Sequence, residues 1–213
     1  MVAALGVAVV GAGELMLHWT GSFDFPEGHG PFDFLLGIPR ERLVTGHFLT
    51  VLSVPAYFLG YWQVSRRLAP MPAAYRQAFF ALSLYVLTMA AIWIGSRAYL
   101  GLSLQLADTA ALREQLSAEY ELLLETLIWL LRIGMILLSL AFALPVLLRR
   151  TSFPAWMAAL NPFALLMLVF SSLLVPALGP HLVPAALNVA HVPFFLLCAF
   201  APQLDRGTPE PPQ

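Results

Sequence analysis

Six long apolar segments constrain the fold of this chain more than any other feature of its sequence. They run over about residues 2–19, 43–64, 78–100, 122–148, 158–178 and 182–202. Each is close to the ~20 residues that a helix needs to cross a ~30 Å hydrocarbon core. The hydrocarbon core contains no water that could hydrogen-bond to backbone N–H and C=O groups, and a helix pairs these groups with each other. The pattern predicts an all-α, polytopic transmembrane bundle of six spans.

Composition supports this interpretation and predicts a single domain. Hydrophobic residues make up 60% of the chain and charged residues 11%, whereas soluble domains carry about 25% charged residues. We expect one six-helix transmembrane domain over residues 1–204 and a disordered, proline-rich tail over residues 205–213. Residues 107–121 have the periodicity of an amphipathic helix that precedes the fourth span.

The arginines predict how the bundle is oriented. Three arginines follow the second span, two follow the fourth, and one more lies in the tail, so all six fall on one side of a six-span topology. These residues are Arg66, Arg67, Arg76, Arg149, Arg150 and Arg206. Because positive charge accumulates in cytoplasmic loops, we expect both termini in the cytoplasm of a bacterial cell, with the protein as a multi-pass component of the inner membrane.

Several function classes are excluded or disfavoured by residue content. The net charge of −1 gives no indication of nucleic-acid binding. All eleven basic residues are arginines, so no lysine is present to form a Schiff base with retinal or another carbonyl cofactor. The single cysteine, Cys198, has no partner for an internal disulfide. Known nucleotide-binding and hydrolase motifs are absent.

The ionisable residues inside the predicted spans gather in the outer half of the bundle or near its middle. Glu14 and His18 lie four residues apart and share one helix face. A charge at the bilayer centre costs about 2.5–3.5 kcal/mol even on the lenient insertion scale. These groups should therefore face each other or a cavity, which predicts an outward-open polar pocket. The loop that repeats Phe-Asp-Phe at 23–25 and 32–34 is expected to cover it.

Two kinds of chemistry fit this set of residues. Glu14, His18, His47 and His191 supply the carboxylate and imidazole ligands that zinc or iron takes, which makes a divalent transition metal the candidate cofactor. The candidate catalytic residues are Glu14, His47, Arg97, Glu125 and Arg132. Alternatively, Glu14 acts as a proton-titrating acid with a histidine partner, in an acid–base enzyme or in proton coupling.

Structural interpretations stay open beside the functional ones. Glu14 and His18 can form a hydrogen bond on the helix surface, and Arg132 can form a buried ion pair with Glu125. Asn188 and His191 can hold helices together, as polar side chains do in membrane bundles. The expected partners are the lipid bilayer and a small molecule or lipid headgroup that binds in the pocket, and a membrane-embedded enzyme is slightly preferred. A proton-coupled transporter and a structural subunit without a site are the alternatives. The oligomeric state is not predicted.

The segments "GAGELMLHW" at 11–19 and "LGIPRERLVTGHFLTVLSVPAYFLGYW" at 36–62 carry a family resemblance. Here the chain resembles an uncharacterised bacterial family of multi-pass membrane proteins. Its members have an acidic residue after small residues in the first helix, matched by Glu14. Their second helix contains a proline and ends in a Leu-Gly-aromatic run, matched by Leu59-Gly60-Tyr61. The resemblance implies that the acid in the first helix matters, and it implies no reaction.

Overall fold

The structure is a computed structural model that describes residues 1–20 and 30–204, and these residues form helices and turns without any strand. The predicted all-α class is thus confirmed for this part of the chain. The α-helices are α1 (Val2–His18), α2 (Arg40–Arg67), α3 (Ala73–Leu106), α4 (Ala110–Leu147), α5 (Pro162–Ser171), α6 (Gly179–Leu182) and α7 (Ala186–Leu204). Short 3-10 helices cover Asp33–Gly37, Ala155–Leu160, Ser172–Leu174 and Val183–Ala185. The predicted tail at 205–213, Arg206 and the first Phe-Asp-Phe at 23–25 lie outside the described residues.

Within the described residues, four helical segments are long and apolar enough to cross a membrane. They are Arg40–Arg67, Ala73–Leu106, Ala110–Leu147 and Gly179–Ala201. Two further apolar helices, Val2–His18 and Pro162–Leu174, are shorter. The four long helices indicate a membrane protein, and they coincide with the second, third, fourth and sixth predicted spans.

The fifth predicted span is broken into pieces. Residues Ala155–Leu160 form a 3-10 helix, and α5 begins only at Pro162. Asn161 starts this helix by accepting a hydrogen bond from the Ala164 N–H at 3.0 Å, a capping role that asparagine favours. The Phe163 N–H donates to Ser139 Oγ at 2.9 Å. The start of α5 therefore lies beside the last third of α4, and α5 alone is too short to form a full span.

The predicted amphipathic helix at 107–121 and the predicted fourth span form one helix, α4. Thr109 begins it by accepting a hydrogen bond from the Leu112 N–H at 3.2 Å. No proline interrupts the helix before Pro145, so the chain has no reason to break between the amphipathic and the apolar part. Its 38 residues give a length of about 57 Å. α4 is thus longer than a hydrocarbon core is thick.

The helices pack in chain order from α1 to α4, and α7 packs against α1 and α5. α1 packs against both α2 and α7, and α3 bridges α2 and α4. Gly134 of α4 lies against Val86 of α3, where an added Cβ would meet Val86 Cγ2 at 2.7 Å. This contact sets the relative heights of the two antiparallel helices. We call the end of the bundle that contains Arg97 the Arg97 end, and the opposite one, which contains Arg67, the Arg67 end.

Candidate functional site

A buried chain of hydrogen bonds connects α1, α7 and α2. Glu14 of α1 is 5% exposed, and Asn188 Nδ2 donates to its Oε2 at 2.6 Å. Tyr57 Oη of α2 donates to Asn188 Oδ1 at 2.6 Å. Both ends of the Asn188 amide are therefore bonded, as buried polar groups require. The acid of the first helix is held by the last helix, not by the histidine one turn away on its own helix.

A second buried pair, His191 and Tyr61, lies beside this chain. His191 Nδ1 lies 2.7 Å from the Leu187 carbonyl, and its Nε2 lies 2.7 Å from Tyr61 Oη. A carbonyl only accepts, so Nδ1 carries the proton. In the neutral ring, Nε2 then accepts from the Tyr61 hydroxyl. Both ring nitrogens of His191 are thus engaged within the protein.

Small residues allow this arrangement, because they let α1 and α2 approach closely. A Cβ added to Gly13 would lie 2.8 Å from the Gly46 carbonyl oxygen, and a Cβ added to Gly46 would lie 2.8 Å from that of Gly13. Real Cβ atoms do not approach so closely, so glycine is required at both positions. Membrane helices often meet at such small residues. The contact also brings Thr50 of α2 directly against Gly13.

A small cavity of about 20 Å³ lies beside Glu14. Its polar lining consists of Glu14, Thr50, Tyr57 and Asn188, and the remaining lining is apolar. Thr50 is fully buried, and its Oγ1 has no hydrogen-bond partner. The volume corresponds to about one water molecule, so this cavity is far too small for a lipid headgroup.

Two aromatic rings contact the guanidinium of Arg97. Its guanidinium carbon lies 5.0 Å from the centroid of the Trp93 ring and 5.2 Å from that of the Phe32 ring. Trp93 and Arg97 lie one turn apart on α3, and Phe32 comes from the segment before α2. Contacts within about 6 Å are favourable cation–π interactions. The second Phe-Asp-Phe, which contributes Phe32, thus contacts the predicted site.

Two clefts lie on either side of Trp93 and Arg97, and both residues line both clefts. The first has a volume of about 240 Å³ and is otherwise lined by His18, Thr20, Phe34, Val183 and Pro184. The second has a volume of about 220 Å³ and is otherwise lined by Pro31, Phe32, Glu121, Leu124, Glu125 and Ile128. Each is more than ten times the volume of the cavity beside Glu14.

Three nitrogens of residues that line the clefts are buried without a hydrogen-bond partner. They are His18 Nε2, Trp93 Nε1 and Arg97 Nε. Buried polar atoms are nearly always paired, so such a group calls for an explanation. Arg97 also forms no ion pair with any carboxylate in the described part of the chain. The lining of the clefts therefore includes residues with unpaired buried nitrogens and one positive charge.

The remaining predicted residues lie elsewhere. His47 is partly buried between the rings of Phe48 and Tyr99, whose centroids are 5.3 and 5.2 Å from its own. Arg132 is exposed on α4, with its guanidinium 5.0 Å from the Trp129 centroid. It forms no ion pair with Glu125, which is also exposed. Across residues 1–20 and 30–204, no three His, Cys, Asp or Glu residues form a group that could hold a metal ion.

The structure thus distributes the predicted residues over separate places. Glu14 and His191 belong to the buried hydrogen bonds that join α1, α2 and α7, and His18, Arg97 and Glu125 line the clefts. The sequence analysis missed Trp93 and Thr50 as site residues, whereas the loop that contains Phe32 was expected to cover the pocket. Trp93 had a usable signal, since an aromatic residue one turn before an arginine on the same helix favours a cation–π pair. Thr50 had none, because its isolation depends on the close approach of α1.

Four helices of the described residues are long and apolar enough to cross a membrane, which suggests a membrane protein. A family model described as "Family of unknown function (DUF6796)" matches residues 1–202, and the chain belongs to that family. No curated protein matches the chain. No solved structure matches it either.

Proposed function

We propose that the clefts around Arg97 bind the anionic group of an amphiphile, and that a phospholipid headgroup is the ligand class they fit best. The observation that carries this proposal is the position of Arg97 between two clefts, with its charge unpaired by any described carboxylate. The protein would act as a headgroup-binding membrane protein. The geometry assigns no reaction to it.

The chemistry of the guanidinium supports an anionic ligand. Stacking on Trp93 and Phe32 covers the faces of a guanidinium and leaves its N–H edge available. That edge matches the oxygens of phosphate or carboxylate in a bidentate arrangement. Glu14 interacts with the Arg97 charge through the bundle but forms no ion pair with it. A ligand that supplies an anion would complete the pairing.

The position of the clefts favours an amphiphile over a water-soluble ligand. Val86 and Gly134 lie at the same height, and Arg97 lies eleven residues further along α3, about 16 Å above them. We place Val86 and Gly134 near the middle of the bilayer, and Arg97 is then close to the boundary of the ~30 Å hydrocarbon core, where headgroups lie. The first cleft is lined mainly by apolar side chains, among them Phe34, Val183 and Pro184. An acyl chain could follow this lining into the bilayer.

The second cleft adds selectivity for an amine. Glu121 and Glu125 lie one turn apart on α4 and both line this cleft. Neither forms an ion pair with a described residue. A headgroup that carries a phosphate and an ammonium would place the phosphate at Arg97 and the ammonium at the two carboxylates. Phosphatidylethanolamine has this charge pattern.

The orientation that we propose is the one that the arginines predict. Six apolar segments cross the bacterial inner membrane, the fifth as the interrupted stretch over residues 155–182 and not as one helix. Both termini are cytoplasmic, and the clefts open to the outer leaflet. α1 has 17 residues and a length of about 25 Å, only slightly shorter than the core. α5 with the following 3-10 helix ends at Leu174, and the chain reaches α7 through Gly179–Leu182.

Metal chemistry and proton coupling find less support than headgroup binding. The four candidate metal ligands Glu14, His18, His47 and His191 fall in different environments, and both nitrogens of His191 are engaged. His18, with its free Nε2 in the first cleft, is the group best placed for acid–base chemistry on a bound headgroup. A transporter would need a second access path, and the residues between Tyr61 and the Arg67 end are largely apolar.

Native mass spectrometry of the detergent-purified protein with defined phospholipids tests the proposal. We expect Arg97→Gln to weaken headgroup binding by about tenfold or more, since a charge-assisted contact is worth about 1.5–3 kcal/mol. The affinity of Arg97→Lys should lie between those of the wild type and of Arg97→Gln, because lysine keeps the charge and loses the planar guanidinium.

Arg66→Gln is the matched control for this experiment. The Arg66 guanidinium also stacks on a tryptophan, Trp62, at 5.1 Å, but it lies at the Arg67 end and lines neither cleft. Unchanged binding in Arg97→Gln, or an equal loss in Arg66→Gln, would refute headgroup binding at the clefts.

A further inference from the structure

A third cleft lies at the Arg67 end, where α2 ends and α3 begins. Its volume is about 320 Å³. Trp62 and Arg66 of α2 line it on one side, and Arg76, Gln77 and Phe80 of α3 line it on the other. We call it the Arg76 cleft. It shares no lining residue with the two clefts around Arg97, so a ligand there would bind independently of one at the other end of the bundle.

The two arginines of the Arg76 cleft have no polar partner in the described part of the chain. The guanidinium of Arg66 stacks on Trp62 at 5.1 Å, and neither Arg66 nor Arg76 forms an ion pair or a side-chain hydrogen bond with a described residue. The Nε of Arg76 is also buried, although buried donors are normally paired. Arg67 differs, because its guanidinium donates to the Ala199 carbonyl of α7 at 2.9 Å. Arg67 thus connects two helices, whereas Arg66 and Arg76 leave their N–H groups available.

The charge of the Arg76 cleft is positive and is not offset by any carboxylate of the described helices that meet at this end. Residues 42–107 and 126–204 supply the ends of α2, α4 and α7 and the start of α3, and they contain no aspartate or glutamate. Two like charges that line one space repel each other and together attract an anion. Ala73, the first residue of α3, also lines the cleft, so the positive end of the helix dipole adds to this field. The Arg76 cleft therefore favours a ligand that carries only negative charge.

The height of the Arg76 cleft favours a lipid over a soluble anion. Arg76 lies ten residues before Val86 on α3, about 15 Å from it along the helix axis. With Val86 near the middle of the bilayer, Arg76 lies at the boundary of the hydrocarbon core opposite to that of Arg97. The apolar rings of Trp62 and Phe80 line the same cleft and suit the start of an acyl chain. Basic pockets between membrane helices take anionic headgroups in this way.

We infer that the Arg76 cleft binds the phosphate of an anionic phospholipid whose headgroup carries no amine, such as phosphatidylglycerol. Arg66 and Arg76 hold the phosphate oxygens through charge-assisted hydrogen bonds, and the Gln77 amide can donate to another headgroup oxygen. Phosphatidylethanolamine should bind here more weakly, because no acid in the lining pairs with its ammonium group. Arg66→Gln therefore leaves the binding of phosphatidylethanolamine at the clefts around Arg97 unchanged.

Native mass spectrometry of the detergent-purified, full-length protein with phosphatidylglycerol tests this inference. The measurement is made in an Arg97→Gln background, which removes the phosphate contact proposed at the other end. There, Arg66→Gln with Arg76→Gln should lower the affinity for phosphatidylglycerol by about tenfold or more. Arg66→Lys with Arg76→Lys should lower it less, because lysine keeps the charge. Arg149→Gln with Arg150→Gln is the matched control, since it removes two exposed arginines that follow α4 and do not line the cleft, and it should keep the affinity.

Inorganic phosphate distinguishes a lipid from a soluble anion as the ligand. Phosphatidylglycerol should raise the melting temperature of the Arg97→Gln protein in detergent, and adding Arg66→Gln with Arg76→Gln should abolish that rise. Inorganic phosphate at matched ionic strength should not raise it. A rise with inorganic phosphate as large as that with phosphatidylglycerol would overturn the lipid assignment. Equal affinities of the cleft variant and of the Arg149→Gln, Arg150→Gln control for phosphatidylglycerol would overturn the site and indicate a general attraction between arginines and anionic lipid.

Discussion

Asn188 Nδ2 donates a hydrogen bond to Glu14 Oε2 at 2.6 Å, which joins residues 174 positions apart in the chain. The bond fixes the first helix to the last one, and Tyr57 extends it to α2. We expect Asn188→Ala to lower the free energy of unfolding by about 1–3 kcal/mol, because Glu14 and Tyr57 lose their shared partner. Asn188→Asp should cost more, since it sets a second carboxylate against Glu14. Thermal or denaturant unfolding measures both. Equal stability of Asn188→Asp and wild type would contradict this role.

The contact between Gly13 and Gly46 predicts a strict requirement for glycine. Gly13→Ala places its Cβ 2.8 Å from the Gly46 carbonyl oxygen, so α1 and α2 must move apart. We expect a loss of about 1–3 kcal/mol, the usual cost of overpacking, and a lower melting temperature. Gly37→Ala is the control, because a Cβ there meets nothing within 4 Å. Similar melting temperatures for the two variants would show that the helices are not closely packed at Gly13.

The hydrogen bond between Tyr61 and His191 predicts a similar loss. Tyr61→Phe leaves His191 Nε2 buried without a donor, which should cost about 1–3 kcal/mol of unfolding free energy. Tyr85→Phe removes the same hydroxyl from a tyrosine that is 47% exposed, and it should have almost no effect. Equal changes in stability for the two substitutions would contradict a stabilising hydrogen bond between Tyr61 and His191.

The proposed orientation predicts which positions are reached from outside the cell. In a Cys198→Ala background, a membrane-impermeant thiol reagent should label Asp108→Cys and spare Ala74→Cys in intact cells. Both positions are exposed and lie at opposite ends of α3. Permeabilised cells should label both. The reverse pattern would place the clefts around Arg97 on the cytoplasmic side.

The carboxylates of the second cleft predict headgroup selectivity. Glu121→Gln combined with Glu125→Gln should reduce the preference for phosphatidylethanolamine over phosphatidylglycerol, while phosphate binding at Arg97 persists. Glu114→Gln with Glu119→Gln removes two exposed acids of the same helix that line neither cleft, and it should keep the preference. Competition between the two lipids in mixed nanodiscs measures it. An unchanged preference in the cleft variant would show that the amine is not recognised there.

Helix positions could be predicted from the sequence because apolar length and arginine placement are local signals. The second, third, fourth and sixth predicted spans coincide with helices that are long enough to cross a membrane. The fifth differs because Asn161 and Pro162 begin a new helix where the apolar run continues. Hydropathy averages over such a break, whereas the cap and the proline determine the backbone.

The candidate site was harder to predict, because it depends on contacts between distant helices. The importance of Glu14 could be predicted, because a charged side chain inside a membrane helix costs free energy unless it has a role or a partner. Its partner was not visible, since i to i+4 spacing indicated His18 and packing instead selects Asn188. Periodicity gives the faces of one helix, and it does not say which faces meet. For this reason the sequence did not show that His47 and Arg132 lie apart both from the hydrogen bonds around Asn188 and from the clefts around Arg97.

Photo-crosslinking with a phosphatidylethanolamine that carries a diazirine near its headgroup tests the central proposal most directly. After reconstitution and irradiation, peptide mapping by mass spectrometry should find the label on the cleft lining around residues 93–97, 121–125 and 183–184. Arg97→Gln should remove most of that label, and Arg66→Gln should leave it unchanged. A label spread evenly over the exposed apolar face of α4, and insensitive to Arg97→Gln, would contradict headgroup binding at these clefts.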